Sequence, residues 1–476
     1  MAVKLKTAYS EKNIKQMGGA IMNVRDVRTA EDAKKIVIER DVKSIKIAVS
    51  DIDGILRGKY ISRDKFLSAL EGNIAFCDVV LGWDMHDELY ENTVFTGWHT
   101  AYPDADIELI YDSCREAPFE DNVLFFLAEF VGRAGAVCPR NLLGRVMDKA
   151  KNMGYGVTSA YEFEFFVFDE TPHSVRDKNY RDLTNFTPGN FGYSVLRSSV
   201  HNELYHEILE MCRDMDMEIE GLHTETGPGV LEAALKYDAA MNSADKAILF
   251  KTFIKTLAQR NGLMATFMAK WSVDYPGQSG HIHISLQDEN GGGVFYDKSK
   301  PDNISDEMRW FIGGQQKLMP ELLAMVASNI NSYARLVPGH WAPTDATWGV
   351  ENRTCALRTI GGSENSTRVE YRISASDINP YIAGAAAIGS GLWGIENKIE
   401  PTEPIAGNAY DLTMPPEFTL PSTLDVASEK LKTSEIAKEL FGDEFIDHYS
   451  RTRDWEVLEA RKAVTDWQLQ RYFEII

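Results

Sequence analysis

Apolar residues recur along this chain with two periods, and the switches between them mark its elements. Ser44-Ile45-Lys46-Ile47-Ala48-Val49 alternates as a strand does, and the alternation breaks at Asp53-Gly54, the signature of a hairpin turn. Just before it, residues 29–39 read as a short helix, with Thr29 and Asp32 placed as a capping box ahead of Ile36 and Val37. Short apolar runs continue to Val123-Leu124-Phe125-Phe126-Leu127, so the stretch from 44 to about 130 is strand-rich. A small-residue run from Gly132 to Pro139 is a natural junction. Helical patterning resumes over Arg140–Met153, and helix-like segments follow at 200–215, 305–330 and 427–476. The longest uncharged stretch, Pro380 to Ile395, is too short and too rich in Ala and Gly to span a membrane, and reads as a buried helix. The chain thus divides into an N-terminal extension with a short helix (1–43), a strand-rich unit (44–133) and a large remainder (134–476).

Three strands carry the wrong residues on one face. Alternation normally sets apolar side chains against bland polar ones. In Tyr161-Glu162-Phe163-Glu164-Phe165 two carboxylates share a side, opposite aromatics. Gly280-His281-Ile282-His283-Ile284-Ser285-Leu286 puts two imidazoles and a hydroxyl opposite Ile and Leu. Thr367-Arg368-Val369-Glu370-Tyr371-Arg372-Ile373 aligns Arg, Glu and Arg. Same-face neighbours stand about 6.5–7 Å apart, a spacing at which each carboxylate serves its own cation of an adjacent pair. His223-Thr224-Glu225-Thr226-Gly227-Pro228-Gly229-Val230-Leu231-Glu232 adds two carboxylates around a Gly-Pro-Gly turn.

Each piece alone has a bland explanation. A Glu-x-Glu strand is commonly a solvated face, a His-x-His pair a satisfied core, and an Arg-x-Glu-x-Arg strand a surface ladder worth under ~1 kcal/mol. Together, on strongly apolar strands, the unpaired charge would be costly. Metal binding supplies the missing partner, and Glu162, Glu164, Glu225, Glu232, Glu370 and His281 suit hard divalent cations. Between Asn331 and Ser376 the basic residues are Arg335, Arg353, Arg358, Arg368 and Arg372, with no Lys. Arg offers the planar fork that carboxylate and phosphate recognition needs. Metals beside an Arg cluster is what phosphoryl transfer from a nucleotide requires.

Composition narrows the partners. With 50 basic and 71 acidic residues among 476, the formal charge is −21, which argues against nucleic acid and anionic membranes. Length alone predicts about three domains. Five scattered cysteines, without a CxxC, fit reduced thiols in a cytoplasmic protein. Lys4, Lys6, Lys12 and Lys15 precede no apolar run, so no signal peptide is expected. Two motifs mislead. Gly389-Ser390-Gly391-Leu392-Trp393-Gly394 matches GxGxxG but follows an Ala-rich helical stretch rather than a strand, so it reads as close helix packing. The Asp51/Asp53 pair resembles the first motif of haloacid-dehalogenase-type phosphatases, yet no α/β pattern follows, and a hairpin turn is the better reading.

These constellations, in this order, resemble the glutamine synthetase family of glutamate–amine ligases. The stretches that carry the resemblance are Glu162–Phe166, Glu225–Gly229 with Glu232, Ser279–His283, Arg335-Leu336-Val337-Pro338-Gly339, Asn352-Arg353 with Arg358, Arg368–Arg372 and Asn379-Pro380-Tyr381. The resemblance implies an α+β chain. A small N-terminal β-grasp domain would precede a large catalytic domain, binding ATP, metal and glutamate, whose curved antiparallel sheet is flanked by helices. It implies a homo-oligomer of stacked hexamers, a dodecamer, with each site completed by a neighbour. By the same resemblance Glu164, Glu225 and Glu232 would hold one Mg²⁺ or Mn²⁺, and Glu162, His281 and Glu370 another. Arg335 and Arg372 would bind glutamate, and Arg353 would stabilise the transferring phosphoryl group. Arg358 and Arg368 would meet nucleotide phosphates, with His283 and Ser285 near the nucleotide. ATP would convert the glutamate γ-carboxylate to an acyl phosphate that an amine then displaces.

The departures from the family pattern concern the amine. Ammonia-using members follow the Arg-Leu-Val-Pro-Gly run with an aromatic, Glu and Ala-Pro, whereas this chain reads His340-Trp341-Ala342-Pro343. Val230 replaces the usual Gln, and Gly277-Gln278 the usual Asn-Gly. Asp78 is the counterpart of a neighbour-donated aspartate at the amine site, although its spacing to Trp83 is two residues short of the family's. Losing a carboxylate removes a partner for ammonium, and an indole adds an apolar wall, so a bulkier amine is expected. An arylamine such as aniline is the favoured acceptor; alkylamines and polyamines stay open, with cation–π contact to Trp341 available. Ordinary glutamine synthesis is the alternative. A catalytically inactive structural role ranks behind, because all six metal-ligand candidates are present. Tyr410 resembles a position adenylylated in some bacterial members, and a plain packing tyrosine is its simpler reading.

Overall fold

The computed structural model describes residues 22–476; Lys4, Lys6, Lys12 and Lys15 lie outside them. The predicted helix forms over Ala30–Glu39, closed by the reciprocal Thr29/Asp32 capping box. Its apolar stripe does not extend away from the body. Val24, Val27, Ile36, Val37 and Val42 share one buried cluster with Ile45, Ile47, Phe66 and Phe126. The small unit therefore begins by Val24, ahead of the strand at Ser44.

Six strands make its sheet: β1 (Ser44–Ser50), β2 (Leu56–Ser62), β3 (Ile74–Cys77), β4 (Asp104–Leu109), β5 (Arg115–Glu116) and β6 (Val123–Phe130). Their order is β2-β1-β6-β4-β3, with β5 also on β6. β1 and β6 run parallel, and the β1–β2 hairpin pairs Ser50 with Leu56. At the hairpin tip Asp51 accepts the amides of Asp53 (3.0 Å) and Ile55 (2.8 Å), which is the turn that Asp53-Gly54 signalled. Gly54 sits at φ +78°, with Asn379 2.9 Å from where a Cβ would stand, so only glycine fits this contact.

The second sheet has nine strands in the order β13-β14-β15-β12-β7-β9-β8, with β10 and β11 also on β7. They are β7 (Gly156–Phe168), β8 (Ile219–Thr224), β9 (Val230–Leu235), β10 (Asp238–Ala239), β11 (Met264–Thr266), β12 (Gly280–Gln287), β13 (Trp348–Val350), β14 (Leu357–Ile360) and β15 (Arg368–Tyr371). Every pairing is antiparallel except β13–β14. The aromatics of β7 form its anchor: Phe163 stacks on Phe250 of the helix Ala240–Arg260, and Phe165 on Phe267 at 5.2 Å. Tyr161 donates its hydroxyl to the carbonyl of Pro380 (2.7 Å), tying the sheet to the buried helix Pro380–Asn397.

That helix accounts for the misleading glycines. A Cβ on Gly394 would lie 2.1 Å from the Trp310 carbonyl, and one on Gly391 2.2 Å from the Phe311 ring, so these two glycines of the GxGxxG match form a close-packing face against the helix Asp306–Leu322, while Gly389 faces Phe441. Two long helix-like stretches are shorter than their patterns predict. The 305–330 segment ends its α-helix at Leu322. The 427–476 segment is four helices, because Ser434 and Thr465 cap new starts and Gly442 turns at φ +89°. No helix among the described residues is long and apolar enough to cross a membrane.

The two sheets meet along a seam of paired charges. Arg453 of the helix Asp443–Lys462 reaches Asp53 at 2.6 Å, both buried. Asn379 donates to the Asp51 carbonyl (3.1 Å), and the buried imidazole of His448 contacts the Leu81 carbonyl at 2.9 Å. Arg140 joins Glu129 to Asp245 at 2.7 and 2.9 Å.

Candidate active site

Register assembles the site. With Tyr161, Phe163 and Phe165 fixed in the core, Glu162 and Glu164 face the other way. Across the sheet His281 pairs opposite Glu162, Glu232 opposite Glu164, and Glu370 lies between His283 and Arg358. Charged side chains from β14, β15, β12, β7 and β9 thus land on one face. A cavity of about 560 Å³ opens above them.

The acidic half is crowded. Carboxylate oxygens of Glu164, Glu225 and Glu232 lie within 4.8 Å of one another. Glu225 Oε2 is buried and without a partner. Burial and the charges of Glu162 and Glu164 push Glu232 up to about 11. Burial and Glu164 raise Glu225 as well. Three converging carboxylates of this kind are unstable as anions unless a cation sits among them, and an all-oxygen set fits a hard divalent ion. His223 borders the trio, its Nε2 3.2 Å from Glu232 Oε1, and its ring stacks on Tyr193 at 4.4 Å.

A second group lies beside it. His281 Nδ1 is 3.2 Å from Glu370 and 3.7 Å from Glu162, yet neither ring nitrogen makes a hydrogen bond. Burial and Arg372 disfavour a protonated His281, but the two carboxylates outweigh them and raise its pKa. Arg368 Nε donates to His283 Nδ1 (3.2 Å), which leaves His283 Nε2 as the proton-bearing atom 3.1 Å from Glu162. Glu162 is held well below the usual carboxylate range, because the two imidazoles overcome the penalty of burial.

The arginine half is organised around Glu370. Arg358 reaches it at 3.0 Å and Arg372 from the other side. Burial would raise the Glu370 pKa, but His281 and Arg372 keep it ionised. Arg353 differs: it lines the cavity, is exposed and has no side-chain partner among the described residues.

Most of the predicted residues converge here. Glu162, Glu164, Glu225, Glu232, His281, His283, Arg353, Arg358, Arg368, Glu370, Arg372 and Trp341 all line the cavity. Three do not. Arg335 is buried behind the wall, donating to the Ile373 and Arg372 carbonyls and to Ser279 Oγ. Ser285 stands one step beyond His283 along β12, outside the lining. Asp78 is in the small unit, accepting from Thr96 Oγ1 at 2.9 Å, with burial raising its pKa. Conversely, Tyr193, Pro276 and Ile360 line the cavity without having been singled out, and Phe166 and His340, named only as parts of motifs, line it too. Tyr193 lies in an irregular loop where no period can flag it; its cue was the cluster Phe191-Gly192-Tyr193 ahead of the helix-capping Ser194.

Comparison with known proteins agrees with this geometry. Residues 136–472 match the family described as "Glutamine synthetase, catalytic domain". The chain is 45% identical to "Type-1 glutamine synthetase 2" of Dictyostelium discoideum, over 91% of this chain and 84% of that one. It is 36% identical to "Glutamate--isopropylamine ligase" of a Pseudomonas species, over 98% and 100%. Among solved structures, one described as a GmaS/ADP complex superposes with a TM-score of 0.81 at 23% identity, covering 93% of this chain and 99% of that one, and shares its fold.

Proposed function

This chain belongs to the glutamine synthetase family and is an ATP-dependent ligase, and on that premise we propose that it joins glutamate to an amine larger than ammonia, with an arylamine such as aniline the favoured acceptor. The observation that carries the reading is Trp341. An indole stands where ammonia-using members hold a carboxylate, and it faces the cavity with Phe166 and Val230 among the other lining residues. An alkylammonium ion finds no carboxylate on that loop. A neutral arylamine needs none, because its lone pair is free near neutral pH.

The chemistry follows in two steps. A glutamate γ-carboxylate oxygen bonds to the ATP γ-phosphorus as the bond to ADP breaks. The amine nitrogen then bonds to the acyl carbon, phosphate leaves with the C–O electron pair, and the nitrogen loses a proton. Glu164, Glu225 and Glu232 would hold one Mg²⁺ or Mn²⁺, and Glu162, His281 and Glu370 another, supplying charge that neutralises phosphate oxygens. Arg353, free of protein partners, is placed to meet the negative charge that spreads on the transferring group. Arg358 and Arg368 would hold nucleotide phosphates, with His283 and Ser285 on the same strand nearby. Arg372 would take glutamate's α-carboxylate, with Arg335 supporting it from behind through the Arg372 carbonyl. Asp78 is buried in the small unit and absent from this chain's cavity lining; in stacked hexamers, a dodecamer, it would complete a neighbour's amine site.

Ordinary glutamine synthesis is the second reading, favoured by the name of the Dictyostelium relative. Phosphate release, with mass-spectrometric identification of the product from glutamate, ATP and a panel of ammonia, isopropylamine, putrescine and aniline, separates the two. A γ-glutamylamide formed faster than glutamine is expected. Ammonia as the best acceptor, or no turnover with any amine, overturns the proposal.

A further inference from the structure

The loop that presents Trp341 is held by remarkably little. It runs from Pro338 to Pro343, so neither end residue has an amide proton to donate, and Gly339 adopts φ +80° with open space around it. Trp341 itself is in the left-handed region at φ +57° and is 56% exposed. A bulky residue keeps such a conformation only where its surroundings enforce it. Hydrogen bonding resumes at Val337 on one side, to the Arg335 carbonyl, and at Thr344 on the other, from the Leu420 amide. Between them, among the described residues, one hydrogen bond reaches the loop: Tyr410 donates its hydroxyl to the Ala342 carbonyl at 3.2 Å.

Tyr410 sits on a strap that grips the other side of the cavity. Asn352 Nδ2 donates to the carbonyls of Ile405 (3.0 Å) and Gly407 (2.8 Å). The Ala409 amide donates to Thr354 Oγ1 at 2.9 Å. Those two residues flank Arg353, so the strap from Ile405 to Tyr410 fixes the turn that carries the unpartnered guanidinium. The Ile405 amide is itself pinned to the Trp348 carbonyl of β13 at 2.9 Å. With Thr354 Oγ1 also donating to the Gly407 carbonyl at 3.4 Å, one segment clasps the Arg353 turn with four hydrogen bonds and the Trp341 loop with one.

We propose that Tyr410 is a specificity-determining positioning residue: its hydroxyl latches the Trp341 loop to the strap that fixes Arg353, and so sets the shape of the amine pocket. Resting on the amine reading above, the latch acts only through Trp341. It makes no contact with the amine.

A double-mutant cycle on the full-length enzyme tests this, using whichever acceptor the wild type turns over fastest, so that the outcome is independent of which amine that proves to be. Losing one neutral hydrogen bond changes an equilibrium about two- to tenfold. Tyr410→Phe keeps the ring packing and is expected to raise the acceptor KM about fivefold, with KM for glutamate and ATP within twofold. Added to Trp341→Ala, it is expected to change the acceptor KM less than twofold, because the residue it works through is already gone. Additive effects in the cycle overturn the latch, as does an unchanged acceptor KM in Tyr410→Phe. An equal rise in glutamate KM also overturns it, by placing the hydroxyl on glutamate. Ammonia emerging as the fastest acceptor contradicts the function proposed above and leaves the cycle able to judge the latch.

Discussion

Two regions of this molecule bury charge, and they handle it in opposite ways. Along the seam between the sheets, each buried charge described above meets its complement: Asp53 has Arg453, Asp51 has Arg57 and two amides, and Arg140 has Glu129 and Asp245. In the cavity, among the described residues, no Lys or Arg side chain pairs with Glu164, Glu225 or Glu232, and no carboxylate pairs with Arg353. A charge that folding must neutralise is given a protein partner. A charge without a protein partner is one that a ligand would neutralise, and gathering such charges costs stability that the paired seam and the core must offset.

The largest effect expected from this contrast is on catalysis. Chelating divalent metal, or replacing Glu232 with Gln, is expected to lower glutamate- and acceptor-dependent phosphate release by about a thousandfold or more, as loss of a main electrostatic element does. A steady-state assay with and without EDTA checks it; undiminished turnover without metal would break the cavity half of the comparison.

In the seam the loss falls on folding instead. Asp53→Ala leaves the Arg453 guanidinium buried and unpaired, which is expected to cost about 3–5 kcal/mol in denaturant unfolding. A change under about 1 kcal/mol would show that the seam's pairing is not structural. The same unfolding measurement on metal-free Glu232→Gln should give a stability equal to or above wild type, because Gln removes the free-energy cost of protonating a crowded, buried carboxyl on folding.

His448 gives the seam a pH signature. Burial pushes its pKa down to about 4, so the folded chain keeps it neutral where the unfolded chain, near the ordinary value of about 6.5, takes a proton. Since the unfolded state binds more protons between those values, stability falls as pH falls from about 6.5 toward 4. From this group alone the loss from pH 7 to pH 5 is about 2 kcal/mol. His448→Gln should flatten that part of the profile; an unchanged slope would remove His448 as its source.

How much of this was legible before any coordinates depends on where the residue sits. On strands, period-two alternation put Glu162 with Glu164, His281 with His283, and Arg368 with Glu370 and Arg372 on shared faces, and those faces do meet in one cavity. Alternation says nothing about which strands are neighbours. That Glu232 falls opposite Glu164, and that Glu370 is wedged between Arg358 and His283, is a matter of register, set by non-local pairing of β7, β9, β12, β14 and β15. The buried helix and its glycines were readable from composition, because only a close-packed partner explains so many small residues in an uncharged run. Arg335 shows the limit: its motif marks it as a ligand residue, yet its guanidinium bonds two carbonyls and a hydroxyl behind the wall. Tyr193 lies in irregular backbone, and the single tie from Tyr410 to the Trp341 loop starts from a 3₁₀ turn of three residues, Ala409–Asp411, too short for sequence to carry a period.

The central claim is that an indole in place of a carboxylate sets the acceptor. Its most direct test is the ratio of kcat/KM for an amine to that for ammonia, measured in the wild type and in Trp341→Glu. The ratio is expected to favour the amine in the wild type and to fall at least tenfold in the variant, as the restored carboxylate gives ammonium a partner. A wild type that prefers ammonia, or a ratio that Trp341→Glu leaves unchanged, contradicts the account.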